Sequence, residues 1–173
     1  RKDGETTCPV LNVNKLSITN AEDFIPESYY WTPDPSLYAN DMSLVGLVQI
    51  DGVDQDRTSL EVGAFCGDEL RGSRMPQYIP ALDKYLVFLT IYGEDDDEIS
   101  FKLYNHKTDE EMDLSSPEPL SFTINGTIGS VNAPHILNFR NSVDVNVIIN
   151  PAEAGEVSGI GEYLFGDTVT LYA

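Results

Sequence analysis

The stretch LEVGAFCGDELRG, residues 60–72, decides how the rest of the chain is read. It reads as a strand, a two-residue turn and a returning strand. A hairpin closed by two residues needs positive φ in its loop, and Gly67 supplies that without the penalty a Cβ would bring. With Gly67-Asp68 as the turn, Phe65 is expected opposite Leu70, Ala64 opposite Arg71, and Gly63 opposite Gly72. Two facing glycines leave a bare strip of backbone that a neighbouring element can approach closely.

Working outward, apolar strands flank the hairpin on both sides: residues 42–50 (MSLVGLVQI) before it, 85–92 (YLVFLTIY) and 99–104 (ISFKLY) after it. The run 85–92 is β-branched and aromatic throughout, which marks a buried strand. In 99–104, Ile99, Phe101 and Leu103 share one face. Residues 10–18 (VLNVNKLSI) alternate with period two, and 120–124 with 136–139 supply the last strands. Residues 53–59 and 93–98 read as polar loops, and 73–84, with Pro76 and Pro80, as an irregular connection. The segment 29–35 (YYWTPDP) holds two prolines, which exclude a regular helix and disfavour a central strand. It reads as a stiff loop or edge carrying aromatics. Many short strands separated by turn signals predict an all-β chain: an antiparallel β-sandwich, immunoglobulin-like or jelly-roll-like, over residues 1–140.

The pattern changes at residue 141. Val143, Val145, Val147 and Ile149 alternate strictly, and a glycine-rich tail with strand candidates at 156–157 and 168–171 follows. So small a piece is marginal alone, and it reads as a partial β repeat over 141–173. Its valine-isoleucine stripe is expected to pack on the sandwich or on a neighbouring molecule, because four exposed side chains of that kind forfeit roughly 1.5–3 kcal/mol each.

Composition narrows the partners. The 41% hydrophobic content is that of a globular protein, while 29 acidic residues against 10 basic give a net charge of −19. Such a surface repels nucleic acid and anionic lipid, so neither is an expected partner. No run approaches the about 20 apolar residues of a membrane span, so direct membrane insertion is not expected. The chain opens on Arg1-Lys2-Asp3-Gly4 and stops in mid-pattern, and reads as a piece of a larger protein with further domains. Two cysteines, Cys8 and Cys66, are too few for a disulfide scaffold.

Residues 31–139 resemble a domain seen in large secreted and cell-surface proteins of the Bacteroidetes. The matching residues are Trp31-Thr32-Pro33, Met42-Ser43-Leu44-Val45-Gly46, Ile50-Asp51-Gly52, GAFCGDELRG at 63–72, Phe88-Leu89-Thr90-Ile91-Tyr92 and Ile99 through Tyr104. That domain often carries a cysteine where Leu70 stands, so the resemblance implies no cross-hairpin disulfide through Cys66, which is expected to be a buried free thiol. Residues 143–173 resemble the first half of a bacterial extracellular repeat related to the internalin-type B repeats, through Asn150-Pro151, Gly155, Val157-Ser158-Gly159, Gly161, Tyr163, Gly166 and Thr168-Val169-Thr170-Leu171. Together the resemblances imply a non-catalytic module at the bacterial cell surface.

The residues themselves carry no catalytic set. The only histidines are His106 and His135, and neither HExxH nor GxSxG occurs. With 29 acids, chance carboxylate pairs carry no weight. No enzyme and no cofactor are expected. Calcium takes about six to eight oxygen ligands, and two loops could contribute some of them: Asp51, Asp54 and Asp56, or residues 94–98. Neither has regular ligand spacing, and the ordinary reading is a solvated, charged hairpin tip.

For a ligand, the aromatics matter most. Sugar rings stack their C–H faces on flat aromatic side chains, and Tyr29, Tyr30, Trp31 and Tyr38 lie close in sequence on a proline-stiffened segment. The plainer alternative is that Trp31 plugs one end of the sandwich. Arg71 is either a ligand-binding cation beside Glu69 or a solvent-facing ion-pair partner, the commoner case. The reading that follows is an extracellular binding or adhesion module, with a glycan or another surface protein as partner. A structural spacer without a ligand of its own is the rival.

Overall fold

The computed structural model describes residues 26, 28–149 and 156–172. The strand expected at 10–18 and Cys8 lie outside the described residues. A tight two-residue turn of Gly and Asp opens each of the two main sheets. Strand β1 (Asn40–Ile50) turns into β2 (Val53–Asp54) through Asp51 and Gly52, both at positive φ (52° and 78°), as a type I′ loop demands. Strand β3 (Leu60–Cys66) turns into β4 (Glu69–Arg74) with Gly67 at φ 59°. The chain continues through β5 (Gln77–Ile79), β6 (Lys84–Gly93), β7 (Glu98–Asn105), β8 (Glu110–Glu111) and β9 (Leu120–Ser121). Strands β10 (Thr127–Ile128), β11 (His135–Phe139), β12 (Ser142–Val145) and β13 (Gly161–Leu164) complete it.

The first sheet runs β10-β1-β6-β5, with β11 and β2 also paired to β1, and the second runs β4-β3-β7-β8, with β9 paired to β7. One apolar core fills the space between them. Met42, Leu44, Val48, Val87, Leu89, Ile91, Leu137 and Phe139 come from the first sheet, Leu60, Val62, Ala64, Ile99, Phe101 and Leu103 from the second, and each is buried. Each Leu, Ile or Phe sealed there contributes about 1.5–3 kcal/mol of transfer free energy. The all-β, sandwich-like architecture predicted from strand spacing is the one observed.

Several details differ from the prediction. β10 and β11 lie parallel to β1, with Ser43 opposite Thr127 and Gly46 opposite His135, so the first sheet is mixed. The hairpin keeps Phe65 opposite Leu70, but the register then shifts: Ala64 faces Gly72 and Gly63 faces Ser73. Arg71 is the extra residue of a β-bulge, which twists its strand locally and re-aims its side chain. The two glycines therefore serve separately. A Cβ on Gly72 would come within 2.3 Å of the Thr90 carbonyl oxygen on β6, so this glycine lets the two sheets close backbone to backbone. A Cβ on Gly63 would lie 2.8 Å from the Trp31 ring. Strand β5 forms inside the connection read as irregular, and the strand expected at 120–124 shortens to two residues, although Phe122 remains in the core. Cys66 is a free thiol, but it is partly buried where full burial was expected, because it adjoins the exposed turn.

The C-terminal strands β12 and β13 form a separate two-stranded sheet. Its ties to the sandwich are polar. Asn141 donates its backbone N–H and its side-chain amide to Asp51, at 2.9 and 2.6 Å, and the Arg140 guanidinium bonds the Phe165 carbonyl and Asp167. The strand stops at Val145 instead of reaching residue 149, and Val143 and Val147 stay 47% and 36% exposed. Of the two partners expected for the stripe, the sandwich or a neighbouring molecule, the sandwich does not cover it. The candidates at 156–157 and 168–171 are not strands; Ser158 and Tyr172 make one isolated bridge, and Gly161–Leu164 pairs instead.

Candidate ligand-binding cleft

Strand β3 is buried on both faces, and this explains how the proline-stiffened aromatic segment is placed. Val62 and Ala64 enter the main core, while Glu61, Gly63 and Phe65 alternate to the opposite face. Trp31, Phe65 and Tyr104 form a second apolar cluster there. Glu61 is fully buried, and its carboxylate accepts from the backbone N–H of Tyr30 at 2.8 Å and of Trp31 at 3.0 Å. His106 Nε2 lies 2.8 Å from the same carboxylate. A buried carboxylate costs dearly unless it is bonded, and here two backbone donors and an imidazole satisfy it. Ser73 adds a second tie, donating its hydroxyl to the Trp31 carbonyl at 2.7 Å.

The five residues singled out from the sequence fall into four places. Trp31 is only 9% exposed and plugs the outer face of β3, meeting Phe65 edge to face at 5.4 Å, so its ring is mostly committed to packing. Tyr30, half exposed, stacks flat on Tyr104 with ring centres 3.8 Å apart. Tyr29 is 41% exposed, with the Arg74 guanidinium 5.9 Å from its ring centre. Tyr38 and Arg71 form a separate knot: the Arg71 guanidinium sits 4.3 Å over the Tyr38 ring and pairs with Glu69 and Asp97, each at 3.2 Å. The Tyr38 hydroxyl donates to Glu69 at 2.5 Å. Arg71 is therefore buried, not solvent-facing, held under Tyr38 between Glu69 and Asp97.

Beside this segment lies a cleft of about 310 Å³. Tyr29, the edge of Trp31 and Pro33 form one wall, and Arg74 of β4 lines it together with Phe88, Thr90 and Tyr92 of β6. These last three alternate along β6 and share the face that points away from the core, whereas Val87, Leu89 and Ile91 point into it. The sequence reading treated 85–92 as uniformly buried and so missed this face. The signal was present in Thr90, a polar residue in register with Phe88 and Tyr92.

Two phenol hydroxyls, those of Tyr104 and Tyr38, are raised above the ordinary tyrosine value. A hydrogen bond to Asp109 at 2.5 Å, helped by burial, pushes Tyr104 up to about 12. Burial first, then the bond to Glu69, raises Tyr38. The acidic residues considered for calcium do not converge. Asp51 holds Asn141, while Asp54 bonds Gln49 and Lys84, contacts that lower its pKa in that order. Asp97 is occupied by the Glu94 N–H and Arg71. Among the described residues, no three His, Cys, Asp or Glu side chains are grouped so as to hold a metal ion. Nor is any helix among them long and apolar enough to cross a membrane.

The class this defines is an all-β, sandwich-like domain with an aromatic-walled surface cleft. No protein-family model, curated protein or solved structure matches the chain.

Proposed function

We propose that this chain is a non-catalytic binding or adhesion module of a larger bacterial surface protein, and that its cleft takes a neutral glycan. The observation that carries the reading is the exposed Tyr29 ring in a concave site that also holds Tyr92, Arg74 and Thr90. Flat aromatic faces stack on sugar C–H faces while hydroxyl and guanidinium donors reach sugar oxygens. The net charge of −19 works against acidic sugars, hence a neutral ligand. His106 is committed to the buried Glu61, which fits a non-catalytic role. The resemblance of residues 31–139 and 143–173 to bacterial extracellular modules supports the surface location.

The test is a glycan array on this fragment, followed by calorimetry on any hit. Tyr29→Ala is expected to weaken binding by about threefold to tenfold, the range of one aromatic contact, with little effect on stability. An array without a specific hit would leave the spacer reading in its place.

A further inference from the structure

A second cleft, of about 470 Å³, opens at the other end of β6, and its chemistry is different. It exists because β1 changes partner along one edge. Residues 40–46 pair with β6, whereas Gln49 and Ile50 pair with β2. Between the two ladders the sheet is open, and Leu47 and the buried Gln55 line the gap. Tyr78 and Tyr85, directly opposite each other on β5 and β6, add two rings with centres 5.2 Å apart and planes inclined by 44°. Tyr78 is 45% exposed.

Asp54, Asp56 and Asp83 line this cleft against one cation, Lys84, which is already paired with Asp54 at 2.9 Å. The Tyr78 hydroxyl donates to Asp83 at 2.7 Å, which fixes the ring beside that carboxylate. An anion is repelled here. A divalent metal finds no converging set of ligands among the described residues. A compact organic cation meets both what it needs: an electron-rich ring face and uncompensated carboxylates around it.

We propose that this cleft binds an alkylammonium group over the Tyr78 ring, with Asp56 and Asp83 as its counter-charges. Two sources share that chemistry, a free polyamine and a lysine side chain. The site is independent of the glycan reading and stands or falls separately.

The test is titration of the whole fragment, followed by calorimetry and by NMR, with cadaverine for the free amine and Nα-acetyl-lysine amide for the side chain. Pentanediol serves as the uncharged control. Binding of either amine but not of the diol is expected, and which amine binds assigns the source. Tyr78→Ala is expected to weaken binding by about threefold to thirtyfold, the range of a cation–π contact from exposed to desolvated. Asp56→Asn, an exposed position that leaves the β5–β6 pairing intact, is expected to weaken it as well. A chain of charge −19 attracts cations everywhere, so Glu118→Gln, an exposed acid outside this cleft, is the control. Equal loss in Asp56→Asn and Glu118→Gln, or no binding by either amine, overturns the proposal.

Discussion

Removing the Glu61 carboxylate should release the aromatic segment from the sandwich, and the size of the effect can be worked out. In Glu61→Ala the Trp31 N–H loses a buried acceptor, and an orphaned buried donor costs about 1–3 kcal/mol. The Tyr30 N–H is only partly buried, so water replaces some of its bond. His106 loses its partner too, and the fully buried site is left with a void. Together these come to about 3 kcal/mol, or a fall in Tm of roughly 6–12 °C for a chain of this size. Glu61→Gln keeps one acceptor oxygen but sets its amide against a donor, so it should fall between the two. Denaturant unfolding measures the stability, and the single tryptophan reports the segment directly. If the carboxylate holds residues 30 and 31 down, Trp31 emission shifts to the red in Glu61→Ala before global unfolding begins. An alanine variant within about 2 °C of the parent, with unshifted emission, would refute this account of the segment.

Three other expectations follow from the same contacts. Gly72→Ala must push a Cβ into the Thr90 carbonyl, which is backbone and cannot rotate away, so a loss at the upper end of about 1–3 kcal/mol is expected in denaturant unfolding. Tyr104 should ionise near 12, above the about 10 of an unfolded tyrosine; a folded-state pKa raised in this way contributes stability that is complete below pH about 10 and is lost as pH rises through 12. Ultraviolet titration of Tyr104→Phe against the parent checks it, and an unchanged late-titrating fraction would be against it. Cutting the chain after Asn141 should lower Tm by less than about 3 °C, because Val143 and Val147 are already exposed; a larger loss would mean that the hairpin buries more than its polar ties indicate.

Local chemistry made much of the fold legible. Gly67-Asp68 is a turn sequence whose backbone requirement does not depend on the rest of the protein, and it closes the hairpin expected there; Asp51-Gly52 closes a second one onto β2, inside the stretch read as a polar loop. The strands around 42–50, 85–92 and 99–104 followed from apolar content and composition, and they are β1, β6 and β7 within one or two residues at each end. The plainer alternative for Trp31 had it plugging one end of the sandwich; it is buried, but against the outer face of β3 beside the cleft.

What depends on distant partners was not legible. The bulge at Arg71 is one residue long, yet because side chains alternate with period two it changes which face every later residue of β4 presents. Arg71, read as either a ligand-binding cation or a solvent-facing ion-pair partner, is a buried residue at this bulge. Nothing near Glu61 announces that a charged residue in the middle of a strand will be fully buried, since its satisfaction comes from Tyr30, Trp31 and His106, 30 to 45 residues away. Both clefts arise in the same way. One needs β4, β6 and the 29–35 segment side by side, and the other needs β1 to exchange one partner for another. The positions of turns and of the main strands are short-range consequences of residue type, and the sequence by itself determined them. Register, burial of charge and concavity are set by which strands meet, and only the tertiary structure decided those.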